Sequence, residues 1–154
     1  MDKSVSNNPQ YFEGTLQLRN CSPEVISFAK RLTLKHPKAY ISKEQKVTNG
    51  YDFYFSDNKF LRILGKKLQE SFTGELKITA TLHTKDKQSS KELYRLTVLF
   101  RQLSFSKGDT FLYQEEEVEI LSVTNTDVLI RYLKTGEKKH IGLLATEKAV
   151  NHSR

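Results

Sequence analysis

The sequence has a single cysteine, Cys21, among its 154 residues. One thiol can form neither an internal disulfide framework nor a cysteine-only zinc site, so the cysteine usage indicates a reducing compartment. No apolar run approaches the ~20 residues that cross a bilayer. Residues 1–10 also lack the apolar core of a signal peptide. We therefore expect a cytoplasmic protein that does not bind a membrane.

Catalytic and ligand-binding motifs are also missing from the sequence. The four histidines lack the spacing of metal ligands, no serine lies in a nucleophile-elbow pattern, and the glycines are scattered rather than grouped as in a phosphate-binding loop. The sequence therefore predicts no enzyme, no cofactor, no metal ion and no small-molecule substrate. A hydrolase whose active site is assembled from scattered residues stays open as a third hypothesis.

Positive charge is the most informative property that the chain does have. Residues 1–103 contain 18 lysines and arginines against 10 aspartates and glutamates, whereas residues 104–154 contain 7 against 8. The formal net charge of +7 therefore divides into +8 and −1. Such segregation favours a polyanionic partner, by default nucleic acid. The alternative is that the basic residues only keep the surface soluble.

The segment that begins at residue 12 predicts a strand followed by a helix. Apolar residues alternate with polar ones from Phe12 to Leu18, which is typical of a strand with one buried face, and Phe12 is expected on that face. Ser22 followed by Pro23 marks the start of a helix. This helix should run to about residue 34.

The next segment predicts a hairpin, a second helix and two more strands. Asn49 and Gly50 suit the positive backbone angles of a tight turn between strands at 40–47 and 51–55. An amphipathic, cationic helix follows, and then two alternating strands joined by a mobile polar tip at 84–92. The order β-α-β-β-α-β-β predicts an α+β fold, in which an antiparallel sheet has both helices on one face and leaves the other face open.

The pattern changes after Leu103. No helical period is present there, and short strands separated by turns predict a small SH3-like or OB-like β-barrel. The predicted organisation is listed here in chain order: a flexible leader at 1–10, a basic α+β domain at 11–103, a barrel at 104–147 and a polar tail at 148–154.

Ten basic residues are candidates for contacts with RNA phosphates. They are Lys59, Arg62, Lys66 and Lys67 on the second helix, Lys77, Arg95 and Arg101 on the open sheet face, and Lys138, Lys139 and His140 on the barrel. The alternative for each group is an ordinary solvated surface, since exposed helix faces and strand positions are often charged. The aromatic residues of the strand at 51–55 are assigned to the core because Tyr51, Phe53 and Phe55 share one face.

Five segments carry a family resemblance. They are NGYDFYFSD at 49–57, LRILGKKL at 61–68, ELYRLTVLFR at 92–101, KGD at 107–109 and TGE at 135–137. Over roughly residues 11–143, the chain resembles the archaeal relatives of the nuclear export adaptor of the large ribosomal subunit, the nonsense-mediated-decay protein three family.

The resemblance implies binding to the large ribosomal subunit around its tRNA exit and peptidyl sites. It also implies a C-terminal portion similar to translation factor five-A. Cys21 stands alone where that family has an N-terminal array of paired cysteines that binds zinc, and the acidic, leucine-rich export tail of the eukaryotic members is missing. We therefore expect neither contacts through a zinc module of this chain nor a role in nuclear export.

Charge and resemblance together predict a non-enzymatic RNA-binding and ribosome-binding factor. It would act in assembly, maturation or surveillance of the large subunit, with rRNA and ribosomal proteins as partners. The alternative is a protein–protein interaction module that uses the open sheet face, where Leu93 and Leu99 are apolar among polar residues. In that case the basic residues would serve only for solubility.

Overall fold

The computed structural model of the protein describes residues 11–85 and 92–153. The predicted leader at 1–10 and the centre of the predicted hairpin tip at 84–92 lie outside the described residues. Within the described part, the fold is α+β and contains one mixed and one antiparallel sheet. None of the helices described there is long and apolar enough to cross a membrane.

The chain divides into two compact units, each with its own hydrophobic core. The first comprises Met1–Phe72 and Leu76–Gln102, and the second comprises Thr73–Glu75 and Leu103–Arg154. The elements in chain order are β1 (Gly14–Arg19), α1 (Pro23–Lys35), β2 (Ile41–Val47), β3 (Gly50–Phe55), α2 (Asn58–Ser71), β4 (Gly74–Lys85), β5 (Glu92–Gln102), β6 (Thr110–Tyr113), β7 (Glu116–Val123), β8 (Asp127–Tyr132), β9 (Lys138–Gly142) and α3 (Leu143–Ser153).

The five-stranded sheet has the order β2-β3-β1-β5-β4. Strand β1 pairs with β3 in antiparallel direction but with β5 in parallel direction. The expectation of an antiparallel sheet was therefore wrong, and the sheet is mixed. Alternation along a strand determines which side chains face the core, but it does not determine which strands become neighbours. The neighbours of β1 are set by contacts between segments far apart in the sequence.

One face of this sheet is covered by both α1 and α2. The core side chains with no exposed surface include Leu16 and Leu18 of β1, Phe53 and Phe55 of β3, Val98 and Phe100 of β5, Val25 of α1, and Leu61, Leu64 and Leu68 of α2. Because one cluster contains residues of both helices and three strands, the helices lie on the same side. The other side, called the open sheet face below, presents the side chains that alternate with these core residues.

The β2–β3 hairpin turns at Thr48 and Asn49, since Val47 and Gly50 are paired across the strands. Asn49 has a positive φ of 64°, which asparagine tolerates better than most residues. Gly50 begins β3 and is not needed for a positive φ, contrary to the expectation for the Asn-Gly dipeptide. A Cβ atom at Gly50 would overlap the carbonyl oxygen of Leu18 in β1. Glycine is required there because two backbones approach closely.

The second unit contains a four-stranded antiparallel sheet with the order β6-β7-β8-β9. Its described strands do not close into a barrel, so the predicted SH3-like or OB-like barrel is not what the structure contains. The core of this sheet is instead completed by α3, which contacts β6, β8 and β9. A helix that covers the apolar side of an open sheet removes the need for closure.

Helix α3 also replaces most of the polar tail expected at 148–154. Leu143, Thr146 and Val150 are buried at helical spacing, and the Thr146 hydroxyl donates a hydrogen bond of 2.8 Å to the Gly142 carbonyl. Only three of its eleven residues are buried, and most of the others are polar. The apolar stripe is therefore too short to be recognised from composition.

The β6–β7 turn offers a way to stabilise the second unit. Gln114 and Glu115 have φ values of 52° and 69°, and Tyr113 pairs with Glu116. Two positive φ values in a two-residue loop favour Asn-Gly, because most side chains are strained there. The double substitution Gln114→Asn, Glu115→Gly should raise the free energy of unfolding by about 1 kcal/mol. Urea titration measures this, and an unchanged or lower midpoint would contradict it.

Candidate nucleic-acid interface

Helix α2 presents a row of cations to solvent. The Asp57 carboxylate caps this helix by accepting hydrogen bonds from the backbone N–H groups of Lys59 at 2.8 Å and Phe60 at 3.3 Å. The cap sets where the helix begins, and burial of Leu61, Leu64 and Leu68 sets which residues point away from the sheet. Lys59, Arg62 and Lys66 follow at helical spacing on the side opposite the buried leucines, and all three are exposed. These three residues are called the α2 cationic face below.

The α2 cationic face has a spacing and exposure that would suit phosphate contacts. Its three side chains extend over about 10 Å of the helix axis, at about 1.5 Å per residue. Lys67 is exposed as well and flanks Lys66. Among the described residues, none of these four side chains forms an ion pair with a carboxylate. Their charges are therefore available to phosphate oxygens, which accept charge-assisted hydrogen bonds from lysine and arginine.

The cations of the open sheet face are more constrained. The Arg19 guanidinium forms a salt bridge of 2.9 Å with the Asp52 carboxylate and donates hydrogen bonds to the carbonyls of Leu18 and Tyr51. Arg101 lies directly opposite Arg19 in the β1–β5 register. The contacts of Arg19 with Asp52 and the Tyr51 carbonyl hold strand β1 to strand β3.

The predicted sheet residues share the open face but lie far apart along it. Arg95 and Arg101 are both half-buried on β5, and six residues of strand separate them by about 20 Å. Lys77 is exposed on β4, at the edge of the sheet. A short segment of nucleic acid bound at one of these residues therefore need not reach the other two.

Four side chains form a continuous row across the open sheet face. The Lys43 ammonium lies 5.5 Å from the centre of the Tyr54 ring, and the rings of Tyr54 and Phe12 pack edge to face with centres 4.9 Å apart. The Arg95 guanidinium lies 4.0 Å from the centre of the Phe12 ring. Lys43, Tyr54, Phe12 and Arg95 are called the aromatic–cation row below. It joins β2, β3, the residues before β1, and β5.

Phe12 lies on the opposite side of the sheet from the one expected. The backbone bends at Glu13, before β1 begins at Gly14, so the alternation of β1 does not extend back to Phe12. The Glu13 carboxylate accepts a hydrogen bond of 3.1 Å from the backbone N–H of Asn58 at the start of α2. Glu13 thus points towards the helices, and Phe12 points towards the open face.

The α2 cationic face and the aromatic–cation row belong to opposite sides of the first unit. The α2 cations lie on the solvent side of a helix that packs on one face of the sheet. The row lies on the other face, where no described helix packs. A flat partner could therefore contact one of these surfaces but not both. The sequence analysis already assigned the helix cations and the sheet cations to separate faces, and the structure adds Lys43, Tyr54 and Phe12 to the sheet side.

The candidates of β9 do not form one surface either. Lys138 and His140 alternate with Lys139 along the strand, and all three are exposed. The Lys139 ammonium lies 5.6 Å from the centre of the Tyr113 ring, on the side of the buried Ile141. The Nδ1 atom of His140 lies 3.6 Å from a carboxylate oxygen of Asp127. Only Lys138 and His140 point in the same direction.

The polar groups buried in the first unit are used for structure. Burial raises the pKa of the Cys21 thiol, so at neutral pH it remains a neutral donor, to the Arg19 and Phe100 carbonyls. Burial and the hydrogen bond to Glu13 raise the pKa of the Tyr11 hydroxyl to about 12. Over residues 11–85 and 92–153, no three histidine, cysteine, aspartate or glutamate side chains come together to hold a metal ion.

Sequence reasoning missed Lys43, Tyr54 and Phe12 as functional candidates. Tyr54 could have been found, because alternation in the strand YDFYF places it opposite the buried Phe53 and Phe55. Lys43 had no signal beyond its charge. Phe12 had a misleading one, since its spacing from Leu16 and Leu18 suggested the core.

Comparison with known proteins concerns the same part of the chain. The family model described as NMD3, second domain, matches residues 11–101. The α2 cationic face and the aromatic–cation row both lie within this match. No curated protein matches the chain.

Proposed function

Because this chain belongs to the NMD3 family, whose second domain matches residues 11–101, we propose that it binds the large ribosomal subunit and contacts rRNA through the α2 cationic face. The family has a general ribosome-associated role in subunit export and maturation. It associates with the large subunit in general and is not a known enzyme family. The proposed activity of this chain is binding alone, during assembly, maturation or surveillance of the subunit.

The observation that carries this proposal is the α2 cationic face. Its three cations lie on a rigid helix whose start is held by Asp57 and whose other side is buried in the core. Because the helix backbone is already ordered, it loses little further conformational entropy when these cations bind phosphate. The excess positive charge of residues 1–103 supports the same conclusion, because long-range attraction speeds encounter with a polyanion.

The remaining basic candidates have a secondary place in the proposal. We place Lys67 at the rim of the α2 cationic face. Lys77 and Arg101, on the open sheet face, would attract rRNA electrostatically without contacting a particular phosphate. Lys138 and His140 would make separate phosphate contacts from the second unit, while Lys139 packs on Tyr113. The α2 cationic face is the part of the proposal that an experiment can test most directly.

Co-sedimentation of the purified protein with separated small and large archaeal ribosomal subunits, over a salt series, tests this function. We expect retention on the large subunit only. The logarithm of the binding constant should fall linearly with the logarithm of the salt concentration. Lys59, Arg62, Lys66 and Lys67 alone would give a slope of about −3, at about 0.7 to 0.9 for each phosphate contact, and contacts from the second unit would make it steeper.

Two results would contradict the proposal. Equal retention on both subunits, lost on adding modest salt, would show that the positive charge is only nonspecifically adhesive. Retention that does not change with salt would favour the protein-interaction alternative, since apolar contacts are not weakened by screening.

A further inference from the structure

We propose that the aromatic–cation row on the open sheet face is a stacking site for unpaired RNA bases. This inference rests on the proposed function, since it names a second RNA contact of the same protein, on the side of the sheet away from α2. It assigns Phe12 and Tyr54 to base stacking, and Lys43 and Arg95 to contacts with the sugar–phosphate backbone. Arg95 would also offer its guanidinium plane for base stacking.

The geometry of the row is that of a shallow stacking platform. Both rings are half-buried, so each is held by the protein while part of its surface remains exposed to solvent. The edge-to-face contact of 4.9 Å fixes the two rings relative to each other, and the Arg95 guanidinium at 4.0 Å extends the platform on the Phe12 side. Unpaired bases stack on aromatic rings and on arginine guanidinium planes.

The charges around the row favour a polyanion. Lys43 stands at one end of the row and Arg95 at the other, so a strand that crosses it meets a cation on each side of the rings. The Asp52 carboxylate on the same face is neutralised by Arg19 at 2.9 Å. The Glu13 carboxylate points to the backbone of Asn58 and the Tyr11 hydroxyl. These two nearby carboxylates are therefore occupied and do not oppose a phosphate at the row.

Single-stranded RNA fits this chemistry better than an acidic peptide does. An acidic peptide would use the two cations but has no general need for the two rings between them. An unpaired nucleotide uses both, since its base stacks and its phosphates accept hydrogen bonds from lysine and arginine. Double-stranded RNA does not fit, because its bases are already stacked on each other.

Photocrosslinking with the full-length protein tests the assignment. The probe is an eight-nucleotide single-stranded RNA that contains 4-thiouridine, and crosslinked peptides are identified by mass spectrometry after trypsin digestion. We expect crosslinks in the peptides 4–19, which contains Phe12, and 47–59, which contains Tyr54. Crosslinks confined to other peptides would overturn the proposal.

Affinity measurements with three variants separate stacking from a structural role. Tyr54→Phe keeps the ring and should bind the oligonucleotide within about twofold of the unmodified protein. Tyr54→Leu keeps an apolar side chain but removes the ring, and it should bind about tenfold more weakly, as expected for loss of one stacked base. The matched control is Tyr94→Leu, which removes an exposed ring from the helix-covered side of β5 and should leave affinity unchanged.

The outcomes also distinguish this inference from the proposed function. If Tyr54→Leu bound the oligonucleotide as tightly as the unmodified protein does, the stacking site would be overturned. It would also be overturned if Tyr94→Leu weakened binding as much as Tyr54→Leu does. An excess of acidic peptide that displaces the oligonucleotide from the Tyr54→Leu variant as easily as from the unmodified protein would show that charge alone binds it and would overturn stacking. Binding of large subunits through the α2 cationic face would persist in each of these cases, because α2 lies on the other side of the sheet.

Discussion

Reversal of Lys59, Arg62 and Lys66 to glutamate is expected to weaken binding to the large ribosomal subunit on the order of 100-fold. Each cation on the α2 cationic face would contact a phosphate, and the loss of three such contacts at about 1 kcal/mol each corresponds to this factor. Repulsion by the new carboxylates adds to the loss. The salt dependence should also become shallower, by roughly one unit of log–log slope for each contact removed.

The fold of this triple variant should remain intact. Lys59 lies in the first turn of α2, which has no acidic residue, and a glutamate there interacts favourably with the helix dipole. Arg62 and Lys66 are already a like-charge pair four residues apart, so two glutamates replace one repulsion by another. All three side chains are exposed and leave the core unchanged. The circular dichroism spectrum should therefore match that of the unmodified protein.

The matched control reverses three exposed lysines of the second unit, Lys107, Lys134 and Lys148. Each reversal removes one positive charge and adds one negative charge, so both triple variants change the formal net charge from +7 to +1. If the α2 cationic face is the contact surface, the control should retain most of its affinity. Equal losses in the two variants would mean that only the net charge matters, and unchanged binding by the α2 variant would show that the contact lies elsewhere.

Replacement of Gly50 by alanine is expected to destabilise the first unit by at least about 3 kcal/mol, at the severe end of single substitutions. The added Cβ would overlap the Leu18 carbonyl oxygen and lie 2.9 Å from its carbonyl carbon. These are backbone atoms of the central strand β1, which pairs on both sides and cannot move away without breaking a ladder. The hydrogen bond of 2.8 Å from the Asn20 N–H to the Asn49 carbonyl would be lost with the end of β3.

Guanidinium or urea unfolding, followed by circular dichroism, measures this effect. Gly142→Ala is the control, because no atom lies within 4 Å of a Cβ placed there and its φ is not positive. We expect the control to change the free energy of unfolding by less than about 0.5 kcal/mol. A loss below about 1 kcal/mol for Gly50→Ala would mean that β1 and β3 can separate locally at little cost, and it would refute the requirement for glycine.

Local patterns predicted the elements that carry the α2 site well. The position of Pro23 predicted where α1 begins, and the apolar stripe of α2 predicted that Lys59, Arg62 and Lys66 face solvent. Such features depend on residues within one or two helical turns, so they can be read directly from the chain. The same reasoning placed Phe53 and Phe55 in the core.

The patterns failed where one residue or one short stripe had to be interpreted without its neighbours in space. In the sequence, Phe12 continues the alternation of apolar and polar residues in β1. In the structure, a bend at Glu13 turns its side chain to the other side of the sheet. The second half of α3 was taken for a tail and its first half for part of the barrel, because its buried residues are few and are recognised only against the sheet that they cover.

The sequence by itself determined the family, the helices of the first unit, the side chains that form its core and the row of cations on α2. These follow from periodicity and from short segments, both of which are local. Only the tertiary structure decided that β1 lies parallel to β5, that α3 completes an open sheet, and that Lys43, Tyr54, Phe12 and Arg95 meet in one row. Those four residues are up to 83 positions apart. Their meeting depends on strand order, which is selected by the packing of the whole unit rather than by any segment of it.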